Sequence, residues 1–228
     1  MRRPFAWTAN RHETMARVLT KPEVMTVYRR VAPRYDLWAT LTESRARRLV
    51  VEVAAVRDGE AILEVAVGSG LLFTELLKRN PRGHTTGIDL TEAMLKQARL
   101  KAERAGPSNW ELRIGDAYAI NYPDASFDAV INCYMFDLIP EDDFGRVLAE
   151  FSRVLRPSGR LVIATLAPTR RLIYRLWESL YRVDPSWVGG CRGVEMTVAV
   201  QRAGFHIERC EAVTQLTMVT EVLRAIKS

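Results

Sequence analysis

Apolar and polar positions fall into short runs that alternate with segments of helical period. Ala61-Ile-Leu-Glu-Val-Ala-Val67 is aliphatic except at Glu64, the pattern of a strand buried in a parallel sheet. It breaks at Gly68-Ser69-Gly70. Leu71 to Arg79 then has helical spacing and stops at Asn80-Pro81. Further strands are expected at 85–89, 110–114, 127–133 and 160–166. Thr91 reads as an N-cap for a helix over 92–105, closed by Gly106-Pro107, and another helix is expected over 143–155. Pro157-Ser-Gly159 reads as the turn between that helix and the fifth strand. A helix over 195–203 precedes two last strands, 205–211 and 214–226, read as a hairpin. Ahead of the first strand, a helix over 21–31 has Thr20 as N-cap and Pro22 in its first turn; Pro33 ends it, and a longer helix follows over 36–56. Strands alternating with helices predict an α/β fold, a doubly wound, mostly parallel, seven-stranded sheet with right-handed crossovers.

Two regions fall outside that rhythm. Residues 1–57 form an N-terminal helical arm, ahead of a core over 58–228. Residues 167–192 are an insertion rich in aromatic and basic side chains, among them Arg170, Arg171, Tyr174, Trp177, Tyr181 and Trp187. That insertion is either a substrate lid, with a lipid contact, or a helix packing its aromatics on the sheet. No repeat or linker calls for a second domain.

Charge changes the picture in one place. Residues 1–57 carry 12 Lys/Arg against 5 Asp/Glu, while the rest is nearly balanced at 21 against 22. The core is therefore no polyanion binder. The basic arm either docks peripherally on an anionic membrane or is a solvated helix face. Phe5 and Trp7 are interfacial anchors in the first case and packing residues in the second. Nothing marks a nucleic-acid motif. No run approaches the roughly 18 apolar residues of a membrane span, and Cys133, Cys191 and Cys210 are too scattered for a disulfide framework. The chain reads as cytoplasmic. His12, His84 and His206 lack ligand spacing, so no metal is expected.

The chemistry gathers behind the strands. A dinucleotide fingerprint needs a third glycine where this chain has Phe73. Glu64 would repel a pyrophosphate but suits a ligand with an ammonium group. S-adenosylmethionine has an amino-acid tail and no phosphate. Asp89 closes the second strand 19 residues after Gly70, where an acid accepts hydrogen bonds from ribose hydroxyls. Asp116, after the third strand, is placed for the adenine amino group. Met94 either touches the adenine or fills the core.

At Glu64-Val-Ala-Val-Gly-Ser-Gly70, Gly87-Ile-Asp-Leu90, Gly115-Asp-Ala117, Phe127-Asp-Ala-Val130 and Glu150-Phe-Ser-Arg-Val-Leu-Arg-Pro-Ser-Gly-Arg-Leu161, the chain resembles the class I S-adenosylmethionine-dependent methyltransferases. Tyr28-Arg-Arg-Val-Ala-Pro-Arg-Tyr-Asp-Leu37 brings it closer to the ubiquinone/menaquinone biosynthesis methyltransferases and bacterial phospholipid N-methyltransferases. The resemblance spans roughly residues 28–227 and departs at Ala66, where many members have glycine. It implies a Rossmann-like fold with an N-terminal lid, and a cofactor site holding Tyr28, Tyr35, Glu64, Ala66, Gly68, Gly70, Asp89, Leu90, Met94, Asp116, Ala117 and Asn132. Tyr28 and Tyr35 either fold over the cofactor, adding a cation–π term of roughly 0.5–2 kcal/mol, or cap the core with their hydroxyls in water. It implies methyl transfer to a small aromatic or lipid-like acceptor, a quinone precursor or a phospholipid amine. The alternatives are a cofactor-binding module without catalysis and, opposed by Phe73 and Glu64, a nicotinamide-dependent dehydrogenase. Methyl transfer demands no triad or metal, because the sulfonium already activates the methyl group. If the acceptor needs a base, Tyr134 and Asp137 are candidates, although Asp137 reads equally as a cap or surface acid. A thiol route would need clustered cysteines.

Overall fold

A computed structural model describes residues 17–106, 109–169, 172–216 and 218–227. Phe5, Trp7, His12, Arg170 and Arg171 lie outside them. The sheet has seven strands in the order β3-β2-β1-β4-β5-β7-β6. They are β1 (Ala61–Val65), β2 (His84–Asp89), β3 (Trp110–Ile114), β4 (Phe127–Cys133), β5 (Leu155–Leu166), β6 (Phe205–Gln215) and β7 (Met218–Lys227). The first five run parallel; β7 is antiparallel to both neighbours. Strand order reverses between β1 and β4. Open α/β sheets place ligand clefts beyond the carboxyl ends of the strands at such a point.

Alternation along β1 decides what faces what. Leu63 and Val65 join the core under α4 (Phe144–Val154), with Phe136, Phe151 and Leu161. Ile62 points the other way, into a core shared with Val50 and Val53 of α1 (Lys21–Ala54) and Leu72 and Leu76 of α2 (Leu71–Arg79). Glu64 has the parity of Ile62, so its carboxylate is turned toward α1. Each fully buried Leu, Ile or Phe here contributes about 1.5–3 kcal/mol.

Three expectations change. Pro33 does not end a helix: α1 runs unbroken from Lys21 to Ala54. A proline inside a helix costs about 3 kcal/mol, which burial of Ala32, Ala39, Ala46, Val50 and Val53 on either side of it offsets. The turn expected at Pro157-Ser-Gly159 lies inside β5, as an irregularity against β4 with Ser158 at φ 60°. Thr91 stands at the N-cap of α3 (Glu92–Ala105) but makes no cap bond; its hydroxyl donates to Asp89 instead. Thr20 does cap α1, in a reciprocal box with Glu23.

The 167–192 insertion holds α5 (Leu172–Val183), followed by a 3-10 turn at Pro185–Val188. Tyr174 and Tyr181 are buried, and Trp177 donates its ring N–H to the Cys191 carbonyl at 3.1 Å. Leu176, Leu180, Val183 and Trp187 remain exposed.

Candidate functional site

Three adjoining cavities lie beyond the strand ends. The largest, about 440 Å³, is walled by Ala66, Gly68, Asp89, Leu90, Asp116 and Ala117, with the start of α1 across from them. A second, about 400 Å³, lies between α1 and the insertion, with Val27, Val31, Thr42, Trp177, Val188 and Met218 among its lining. A small one, about 60 Å³, holds Glu64 and Ser69 opposite Glu43 and Arg47 of α1. Tyr35 and Tyr134 wall all three; Tyr28 borders the two larger ones.

The glycine turn divides its labour. Gly68 has φ 54° and open space where a Cβ would stand, and its N–H donates to Asp89 Oδ2 at 2.9 Å. Gly70, expected to give a ligand room, lines none of these cavities. A Cβ there would sit 2.6 Å from the Cα of Ala98, so this glycine lets α2 pack on α3. Ala66 has φ 58°, a left-handed conformation that glycine adopts freely and alanine only with strain.

Asp89 holds the turn together. Its other oxygen accepts from the Thr91 N–H at 2.9 Å and hydroxyl at 2.8 Å. Burial raises its pKa, against these bonds. Glu64 is 3% exposed and its Oε2 has no partner; burial, then the Asp89 charge, hold its pKa well above the usual carboxylate range. The buried Oδ1 of Asn132 and hydroxyl of Ser69 are likewise unpartnered, while the Asn132 amide donates to Val65. Asp116 Oδ2 pairs with Lys21 of α1 at 2.5 Å, and that ammonium lies 3.8 Å from the Tyr118 ring centre.

Several expected residues are elsewhere. Met94 is buried in the core at 1% exposed, and Asn132 is buried in β4; neither lines these cavities. Asp137, a candidate base, is fully buried and lines none of them. Its carboxylate accepts from the Leu166 N–H at 3.2 and 3.3 Å and its carbonyl from Arg192 at 3.1 Å, a structural arrangement. Tyr134 does line the site, at a strained φ of 57°, its hydroxyl 2.9 Å from Thr220 Oγ1. Cys133 and Cys191 line separate parts of the site, and burial raises the pKa of both, keeping them thiols; Cys210 is an exposed strand residue.

Sequence reasoning missed Glu43. It is half-buried and faces the second and the small cavity; burial pushes its pKa up to about 7, against the Arg47 charge. The available signal was spacing. Tyr28, Tyr35 and Glu43 stand seven and eight apart, near two turns of a helix each, so they share a face.

Residues 62–159 match the family model described as a methyltransferase domain. The demethylmenaquinone methyltransferase of Thermus thermophilus is 36% identical over 174 residues, 72% of this chain and 76% of that protein. Its counterpart in Tropheryma whipplei is 33% identical over 204 residues, 82% of each. The chain belongs to the class I S-adenosylmethionine-dependent methyltransferases. As such it is an enzyme, and its cofactor is S-adenosylmethionine. Solved structures place its fold: the [4+2]-cyclase SpnF, at 20% identity, TM-score 0.73, covering 94% of this chain and 99% of that one; and magnesium protoporphyrin IX methyltransferase (ChlM) of Synechocystis PCC 6803 with bound SAH, at 17% identity, TM-score 0.71, covering 90% and 100%. This methyltransferase's own residues fit the cofactor: an orphaned buried carboxylate suits an ammonium group, and the open space at Gly68 admits a ligand to bare backbone. Among the described residues no His/Cys/Asp/Glu cluster could hold a metal, and no helix is long and apolar enough to cross a membrane.

Proposed function

We propose that this enzyme methylates a quinone precursor, an aromatic ring bearing hydroxyls and an apolar tail, in its reduced form. The observation that carries this reading is the shared wall of Tyr35 and Tyr134. It joins the cavity that carries Gly68, Asp89 and Asp116, suited to the cofactor, to one lined by Val27, Val31, Val188 and Met218, suited to such a ring. The relatives named demethylmenaquinone methyltransferases point to the same acceptor class.

In this reading the cofactor supplies a methyl group already activated by a sulfonium charge. Glu64 takes its ammonium group; Gly68 gives it room; Asp89 accepts from the ribose hydroxyls; Asp116 accepts from the adenine amino group, with Leu90 and Ala117 beside the ring. Tyr28, Tyr35 and Tyr134 close the junction and exclude water, so the enzyme works by alignment. Gly70, Met94 and Asn132 act behind the site, through packing and backbone support. The exposed Leu176, Leu180, Val183 and Trp187 lie on the segment that also borders the second cavity, with Arg175 and Arg182 exposed beside them. An apolar face flanked by cations suits peripheral contact with an anionic membrane, from which a long-tailed acceptor would be drawn.

The test is incubation with deuteromethyl cofactor and chemically reduced demethylmenaquinone, read by mass spectrometry. A labelled ring-methylated product is expected. Label on phosphatidylethanolamine vesicles instead would overturn the acceptor. Cofactor binding with no product from either, or from a total extract, would leave a binding module.

A further inference from the structure

Glu43 is a cavity carboxylate that neither the sheet nor the cofactor contacts use. Three residues border both the second cavity and the small one: Tyr35, Glu43 and Tyr134. The small cavity carries Glu64 and Ser69, and the second carries the apolar lining. Glu43 therefore stands where the methionine end of the cofactor and the acceptor meet.

The groups around it leave it alone as a base. On its own helix are the Arg47 cation, Arg30 on the wall of the second cavity, and the phenols of Tyr28 and Tyr35, whose pKa values burial raises well above the ordinary. From the end of β4 come Cys133 and Tyr134, both held protonated by burial. Cys191 lies on the insertion, and Asp137 is occupied by the Leu166 N–H. Glu64 faces the methionine end.

We propose that Glu43 is the catalytic base, taking the proton of the acceptor hydroxyl as the methyl group is transferred. This rests on the quinol reading. The acceptor O–H bond breaks and its proton passes to the Glu43 carboxylate. The freed electron pair drives a ring carbon onto the methyl group, whose bond to sulfur breaks with its pair left on sulfur. The ring then loses the proton at that carbon and regains its hydroxyl, so one proton is released per turnover. A carboxyl with a pKa of about 7 suits that exchange near neutral pH.

The test compares wild type, Glu43→Gln and Glu43→Asp on reduced demethylmenaquinone, with calorimetric cofactor affinity as the control for folding. Glu43→Gln is expected to lower kcat by roughly 100-fold or more, weaken cofactor affinity by no more than roughly tenfold through loss of one charge near the sulfonium, and abolish the acid limb of the pH profile. That limb lies at or below about 7 in the wild type, because a sulfonium charge lowers a neighbouring carboxyl further. Glu43→Asp should keep the limb with partial activity. Infrared titration of the cofactor-free protein gives a readout without turnover: a protonated-carboxyl band lost through about pH 7 in the wild type and missing in Glu43→Gln. Full activity, a surviving limb or an unchanged band in Glu43→Gln overturns the assignment alone. A wild type that binds the cofactor but leaves the quinol unmethylated overturns the acceptor reading, and this inference with it.

Discussion

The two ends of the cleft are built from different materials. At the cofactor end, β1, β2 and β3 each present bare backbone or an acidic side chain, Glu64, Asp89 and Asp116, within a few residues of the strand's carboxyl end. At the acceptor end, one face of a 34-residue helix meets an insertion more than a hundred residues later in the chain. In the first, each acid is set by the strand and turn it belongs to; the second exists only where two distant segments pack together. Binding one cofactor needs fixed hydrogen-bonding positions, which turns supply, whereas the ring and tail of the proposed acceptor need shape, which packed side chains supply.

The sharpest way to break this contrast is at Glu64. With its Oε2 unpartnered and its pKa raised by burial, it costs the cofactor-free protein stability and gains its partner only from the ligand. Glu64→Gln should weaken S-adenosylmethionine binding by about 3 kcal/mol, roughly 150-fold, while leaving the melting temperature of the free protein unchanged or higher. Calorimetry in buffers of different ionisation enthalpy should show the wild type releasing a proton on binding. Unchanged affinity would remove Glu64 from the ligand's contacts.

The glycines test the contrast within one turn. Gly70→Ala meets both φ 83° and the Ala98 backbone, and should destabilise the fold by about 2–4 kcal/mol, seen in denaturant unfolding. Gly68→Ala meets only φ 54° and should cost about 1 kcal/mol of stability, with its larger effect on cofactor affinity. Equal losses of stability would erase the distinction.

How much of this could be read in advance follows the same divide. The positions of the strands, and of Glu64, Asp89 and Asp116 at or near their carboxyl ends, could be read from runs and spacings a few residues long. Gly70 was misread because sequence cannot tell a glycine kept for a ligand from one kept for a neighbouring helix; the deciding atom, the Cα of Ala98, is 28 residues away. Pro33 was misread because local preference lost to burial along α1. Glu43 was overlooked because a single carboxylate on a helix reads as solvated until its face is known to be covered by the insertion.

Proton linkage offers a smaller test, at the acceptor end. Burial raises the pKa of Glu43 from 4.5 to about 7, so the folded state holds this proton more tightly than the unfolded chain. Its contribution is complete below the unfolded value and is lost as pH rises through the folded one. Stability of the cofactor-free protein should fall between about pH 5 and about pH 8, by at most about 3 kcal/mol from this group. Glu43→Gln should flatten that fall in pH-dependent thermal melts. A slope that Glu43→Gln leaves unchanged would place the carboxyl in water.

The smallest effect is expected where the two ends touch through an exposed contact. Lys21, at the start of α1, pairs with Asp116 although both side chains are well exposed, at 43% and 36%. Such pairs contribute about 0–1 kcal/mol, so Lys21→Ala should barely move stability. Its effect on affinity has a definite sign. If Asp116 accepts from the adenine amino group, Lys21 competes for the same Oδ2 atom, and its removal should tighten cofactor binding by up to about fivefold. The gain should shrink as salt screens the pair, whereas Asp116→Ala should weaken binding at every salt concentration. Binding loosened by Lys21→Ala would instead make Lys21 a contact of the cofactor itself rather than a competitor for Asp116.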